Sequence, residues 1–189
     1  VTERGALPPA RALSLLRQAC SALMEAHAQG IVHRDIKPSN LFLTRHPTEG
    51  DRLKVIDFGI ARRLDDESRL TLDGDAVGTP HFMAPEGLSG GAVGPQADVY
   101  GLGATLYFLL TGQRPFEGLS GPALFNAVTS APVLPPSLRA PHALPSALDA
   151  VVLRALARDR THRHATVIAL DAELAALQPT LYDATPAPR

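Results

Sequence analysis

Apolar residues recur every three or four positions between residues 9 and 29, where Ala12, Leu13, Leu15, Leu16, Ala19, Cys20, Leu23, Met24 and His27 fall on one broad stripe. That period matches the turn of an α-helix, and Gly30 is the residue type that ends one. The pattern then changes. "LFLT" at 41–44 and "LKVID" at 53–57 are apolar runs of strand length, and the "RHPTEGDR" between them contains the Pro and Gly of a turn. Periodicity disappears from Phe58 to Gly78, in a charged stretch too long for a routine connection and therefore expected to be functional or disordered. "ADVYGLGATLYFLLTG" at 97–112 is apolar nearly all round, the mark of a helix at the centre of a domain. Further helices are predicted near 121–129, 146–158 and 165–177, with the Pro-rich "SAPVLPPSLRAPHALP" before the last two. From Pro179 no pattern remains, so 179–189 is expected to be a tail or the start of a linker. No internal repeat is present. The fold class is mainly α with one small β-hairpin.

Composition narrows what such a domain can do. With 189 residues and 45% hydrophobic content, the chain can bury one good core. A net charge of -1 provides no basic face for nucleic acid or an anionic membrane. Cys20, the single cysteine, sits on the first helix's apolar stripe as a core residue, which leaves no disulfide framework or cysteine metal site. The longest near-apolar run, 102–112, is about half the length a spanning helix needs, and residues 1–20 are too charged for a secretory signal. A cytoplasmic chain is expected, with any membrane anchor outside it. It opens at Val1, one turn from a helix, which reads as a fragment.

The candidate chemistry lies in "HRDIKPSN", residues 33–40, between the first helix and the first strand. Asp35, Lys37 and Asn40 put a carboxylate, an ammonium and an amide within six positions, a set suited to binding a phosphate and a metal and to accepting a proton. Asn40 offers a neutral oxygen of the kind magnesium accepts, and Asp57, at the end of the second strand, can bring a carboxylate to the same ion.

Taken in order, "HRDIKPSN", the "DFG" starting at Asp57 and the "APE" of 84–86 resemble the catalytic loop, metal-binding motif and activation-segment end of eukaryotic-type protein kinases. "GTPHFMAPE" and "DVYGLGATLYFLLTGQRPF" extend the resemblance to the substrate-docking loop and the buried central helix. "VIDFGIAR" and "LGATLYFLLTG" are especially similar to the bacterial serine/threonine kinases. The resemblance implies the C-terminal lobe of the protein-kinase-like fold over residues 1–178, with a catalytic loop at 33–40 and an activation segment at 57–86. It implies transfer of the ATP γ-phosphate to Ser or Thr hydroxyls of protein substrates, with Asp35 as base, Lys37 at the transferring phosphate, and Asn40 and Asp57 holding Mg2+. Phe42 then takes the floor under the adenine, where a smaller aliphatic residue is more usual, and Thr79 contacts Asp35 and Lys37.

Other residues are implied to support these. His33 and Phe58 pack the loop against the DFG turn, Asp98 anchors catalytic-loop amides, and Glu86 pairs with Arg163. Arg34 resembles the arginine that pairs with a phosphorylated activation-loop residue; Ser68, Thr71 and Thr79 are hydroxyls available there, and Thr71 is the preferred phosphosite. His162 and His164 lack a third ligand for a metal, and the glycine-rich 87–94 stretch lacks a phosphate-loop pattern and reads as a flexible loop. The chain contains no glycine-rich strand-turn-strand, no strand lysine and no helix glutamate of the N-terminal lobe, which becomes an expected partner. A non-catalytic binding or scaffolding module is the other reading left open.

Overall fold

A computed structural model describes residues 5–46, 50–58 and 80–183. Helix α1 (Pro9–Ala28) starts at a proline, whose missing N–H costs nothing in a first turn, and closes at Gly30 with φ 72°. Its stripe of Leu13, Leu15, Leu16, Ala19, Cys20 and Leu23 is buried. Strands β1 (Leu41–His46) and β2 (Gly50–Val55) pair antiparallel, with Leu41 opposite Val55 and His46 opposite Gly50. The short α2 (Pro85–Leu88) precedes α3 (Pro95–Thr111), followed by α4 (Gly121–Ser130), α5 (Ser146–Ala155) and α6 (Val167–Asp183).

Helix α3 is the axis of the core. Tyr100, Leu102, Leu106, Tyr107, Leu109 and Leu110 are all fully buried, and α1, α5 and α6 pack around them. Gly103 permits the α3–α5 approach, because a Cβ there would lie 2.7 Å from the Ala155 Cβ. Among the described residues, no helix is long and apolar enough to cross a membrane.

Four local expectations need correction. The hairpin extends closer to its turn than the apolar runs suggest, over 41–46 and 50–55, and Ile56 and Asp57 lie beyond it. The reason is in α1: Gln18 donates to the Asp51 carbonyl and accepts from the Leu53 amide at 2.9 Å, while Arg11 pairs with Asp51, so a polar segment is held as strand. Helix α5 stops at Ala155 rather than 158, since the Ala157 and Arg158 carbonyls turn toward Arg163. Helix α6 continues through Pro179 to Asp183, into the segment read as a tail. Arg17 on α1 holds Asp171 and Gln178 of α6, so docking fixes the helix up to the residue before the proline. Residues 85–88, partly read as flexible loop, form α2.

Candidate active site

The loop from 31 to 40 runs between α1 and β1 and is pinned from below by α3. Asp98, in the first turn of α3, is buried, and its carboxylate accepts from the His33 amide at 2.9 Å and the Arg34 amide at 2.7 Å. A third donor is the His27 Nε2 at 2.8 Å. Three N–H groups thus compensate a carboxylate that would be costly to bury alone. They also hold Arg34 at φ 68°, a backbone conformation costing about 1–3 kcal/mol that survives only where its surroundings enforce it. Next to it, Ile36 sits against Gly101 so closely that a Cβ on the glycine would lie 2.8 Å from the Ile36 Cβ.

His33 is buried and ties the loop to the hairpin's exit. Its Nδ1 accepts from the Asp35 amide at 3.3 Å and its Nε2–H donates to the Ile56 carbonyl at 3.0 Å, which selects one neutral tautomer. Its ring lies 4.7 Å from that of Phe58. A 3-10 turn at Pro38–Asn40 then delivers Asn40 inward, where its Nδ2 donates to the Asp35 carbonyl at 2.8 Å and to Asp35 Oδ2 at 3.2 Å. The same carboxylate oxygen is 2.8 Å from Lys37 Nζ. Asp35 is therefore oriented by an amide and an ammonium together.

Asp57 reaches the same place by the other strand. The Ile56 amide donates to the Asn40 carbonyl at 3.0 Å, and the next residue, Asp57, turns out of the strand direction at φ 56°. Its side chain is exposed and has no hydrogen bond or ion pair among the described residues. Asn40, with its side-chain Nδ2 committed to Asp35, keeps its side-chain Oδ1 available. Two hard oxygen donors thus lie at adjoining chain ends, a partial shell of the kind magnesium completes with phosphate oxygens and water. Phe42 on β1 is 55% exposed, and Ile31 at 45% and Ile56 at 37% are exposed as well.

Below the site, Arg163 is fully buried and grips Glu86 in a two-pronged pair, Nη1–Oε1 and Nη2–Oε2 both 2.7 Å. Burial pushes the Glu86 carboxyl up, but the Arg163 hydrogen bonds and charge, with a backbone bond, outweigh it and hold the group below the usual carboxylate range. The remaining Arg163 donors go to the carbonyls of Ala157, Gln96 and Arg158, and the guanidinium lies over the Tyr100 ring.

Thr71, Thr79 and Ser68 lie outside the described residues, as does Gly59. His164 is buried with its Nε2 3.2 Å from Glu173, and His162 is exposed. Two residues around the site were not anticipated. His27 was counted as part of an apolar stripe, and the signal that could have separated it is that a buried imidazole needs a partner. His81, in a 3-10 turn at Pro80–Phe82, donates from Nδ1 to the Pro115 carbonyl at 3.1 Å and so fastens that turn to the loop after α3. Burial holds its pKa below the ordinary histidine value.

A family model described as "Protein kinase domain" matches residues 1–173. The chain is 46% identical over 159 residues to the serine/threonine-protein kinase Pkn1 of Myxococcus xanthus, covering 83% of this chain and 22% of that protein. Two proteins named serine/threonine-protein kinase PknB are also similar. The one from Mycolicibacterium smegmatis is 41% identical (90% of this chain, 27% of that protein). The one from Mycobacterium leprae is 38% identical (90% and 26%). The chain spans about a quarter of the length of these relatives.

Proposed function

Since this chain belongs to the protein kinase domain family, we propose that it is the catalytic, C-terminal lobe of a serine/threonine protein kinase, moving the γ-phosphoryl group of ATP to protein hydroxyls. Residues 1–178 form that lobe, with the catalytic loop at 33–40 and the activation segment at 57–86, and the first turn of the 179–189 segment stays helical. What carries the reading is the state of Asp35. Its carboxylate is held by Lys37 and Asn40 at the mouth of a loop whose backbone Asp98 fixes, one strand-end from the open Asp57.

In the reaction, the bond from the γ-phosphorus to the bridging oxygen breaks as the substrate oxygen bonds to phosphorus. The substrate's hydroxyl proton passes to Asp35, and ADP leaves. Because phosphoryl transfer has a loose transition state, Asp35 acts chiefly by orienting the hydroxyl and takes its proton late. Lys37 is near enough to Asp35 to neutralise charge on the phosphate as it crosses. Asn40 and Asp57 are the residues that would hold Mg2+; the chemistry that ion supplies is neutralisation of the phosphate oxygens.

The exposed apolar side chains of Ile31, Phe42 and Ile56 support two further parts of the proposal: that Phe42 receives the adenine, and that an N-terminal lobe covers apolar surface here. Arg34, whose guanidinium has no ion pair among the described residues, is assigned to a phosphorylated Thr71, and Thr79 to the substrate site. Use of ATP places the lobe in the cytoplasm.

The test is phosphoryl transfer from labelled ATP to Ser/Thr peptides by the full-length protein with Mg2+. Asp35→Asn should lower kcat by ~10²–10⁴-fold, the range for removing a positioned acid-base group. A wild type with no transfer where a related kinase works, or an Asp35→Asn variant as active as wild type, overturns the catalytic reading in favour of a scaffolding module. The 189-residue chain alone should turn over negligibly, and robust autophosphorylation by it would contradict the need for the second lobe.

A further inference from the structure

The last turn of α1 and the first turn of α3 meet in one bond, from His27 Nε2 to Asp98 Oδ2 at 2.8 Å. The Asp98 side chain has no exposure and that of His27 keeps 12%, so water does not compete for the carboxylate. The two carboxylate oxygens are used unequally. Oδ1 accepts from the Arg34 amide alone, whereas Oδ2 accepts from the His33 amide and from His27. Among the described residues His27 is the single side-chain donor to Asp98; the other two donors are amides of the loop that the carboxylate has to hold. That difference matters because an aspartate's terminal torsion is broad, so the side chain itself does not fix the plane of its carboxylate. A loop cannot be the outside reference for the group that orients it. His27 stands on a separate helix and supplies that reference, fixing Oδ2 so that Oδ1 faces the Arg34 amide.

What this orientation serves is Asp35, which follows directly on the two amides. Its own amide donates to His33 Nδ1 at 3.3 Å, so Asp35 depends on where His33 is held. On its other side Ile36 is buried against Gly101. Asp35 thus lies between two anchors on α3, one made by packing and one by hydrogen bonds whose direction a turning carboxylate would change. The second anchor also works against strain: Arg34 sits at φ 68°, and a loosened hold lets that backbone relax away from its position. We propose, on the kinase reading of Asp35 given above, that His27 is a positioning residue for phosphoryl transfer. Through Asp98 it fixes the backbone at His33 and Arg34, and with it the direction in which the Asp35 carboxylate meets a substrate hydroxyl. The role needs an N–H donor at the place of Nε2 and no positive charge.

Three variants of the full-length protein test this by amide hydrogen exchange and by steady-state peptide phosphorylation. His27→Leu keeps apolar bulk and removes the donor. His27→Gln sets an amide nitrogen where the imidazole Nε2 lies, and His27→Asn, one methylene shorter, sets it at the place of Nδ1, short of Asp98. The Leu and Asn variants should exchange faster at the His33 and Arg34 amides, with residues 102–110 inside α3 unchanged. Misplacing a reacting group by about 1 Å costs on the order of 10²-fold in rate, so a smaller drift in these two should lower kcat about tenfold or more, with KM for ATP and for peptide unchanged. His27→Gln should restore both the slow exchange and most of kcat. Unchanged exchange at His33 and Arg34 in His27→Leu overturns the anchor, and so does a Gln variant as impaired as the Leu one. Faster exchange with kcat intact overturns the link to Asp35. A wild type that transfers no phosphate defeats the kinase reading, and with it the role in transfer, while the exchange comparison still decides whether His27 holds the loop.

Discussion

Replacing Gly101 by alanine separates helix propensity from the needs of the catalytic loop. Alanine in a helix interior is favoured over glycine by about 0.8–1.0 kcal/mol, so local reasoning predicts a stabilised protein. The new Cβ, however, would lie 2.8 Å from the Ile36 Cβ and 2.9 Å from the Ile36 carbonyl oxygen. Ordinary carbon contacts are about 3.5–4.0 Å, so the loop must retreat by roughly 0.7 Å or more. Overpacking of this kind costs about 1–3 kcal/mol, leaving a net loss of about 0–2 kcal/mol and a melting temperature lowered by up to ~8 °C for a domain of this size. Ile36 lies between Asp35 and Lys37, and misplacing reacting groups by about 1 Å costs on the order of 10²-fold in rate. Gly103→Ala is the control, since its Cβ would meet Ala155 at 2.7 Å on the α5 side. The assay is thermal melting together with kcat for peptide phosphorylation in the full-length protein, well below both melting points. Gly101→Ala should lose kcat far beyond its stability change, and Gly103→Ala should lose stability alone. A fully active, stabilised Gly101→Ala, or equal loss of kcat in both, would refute the argument.

Other predictions rest on single features. Arg163→Met leaves Glu86 half-buried without its partner and should destabilise by about 3–5 kcal/mol in chemical denaturation, with Glu86→Gln costing less. His81 and His164 have pKa values lowered by burial, so below about pH 6.5 the unfolded chain takes up protons that the native one does not. Stability is therefore full above that pH and falls as pH drops through it, with a second loss below about pH 4.5 as Glu86 protonates; melting curves from pH 8 to 4 check both, and His164→Gln should flatten the first. Thr71→Ala should lower activity if Thr71 is the residue Arg34 awaits, and phosphosite mapping that finds Thr71 unmodified in an active protein, with Thr71→Ala fully active, removes that assignment.

Much of the domain was legible because its signals are local. The stripe of α1 and the all-round apolarity of α3 each follow from residue types at short spacing. The Glu86–Arg163 contact, between residues 77 positions apart, was reached only through family resemblance, and the structure contains it with both prongs at 2.7 Å. What escaped depended on contacts between distant segments. The polar start of β2 is a strand because Gln18 and Arg11 hold it, and α6 passes Pro179 because Arg17 docks the preceding turn; no window of sequence around either segment contains the residue responsible.

The sequence settled which groups are present: a base candidate, a lysine, two magnesium-type oxygens, and the order that marks the kinase family. Tertiary structure decided how they are used. Asp98 is a liability in an apolar helix until His27, His33 and Arg34 bring it three N–H groups, and Arg34 can hold a left-handed backbone only because that carboxylate is there. Hydrogen bonds to buried groups are set by which segments meet in space, and only the folded chain specifies that.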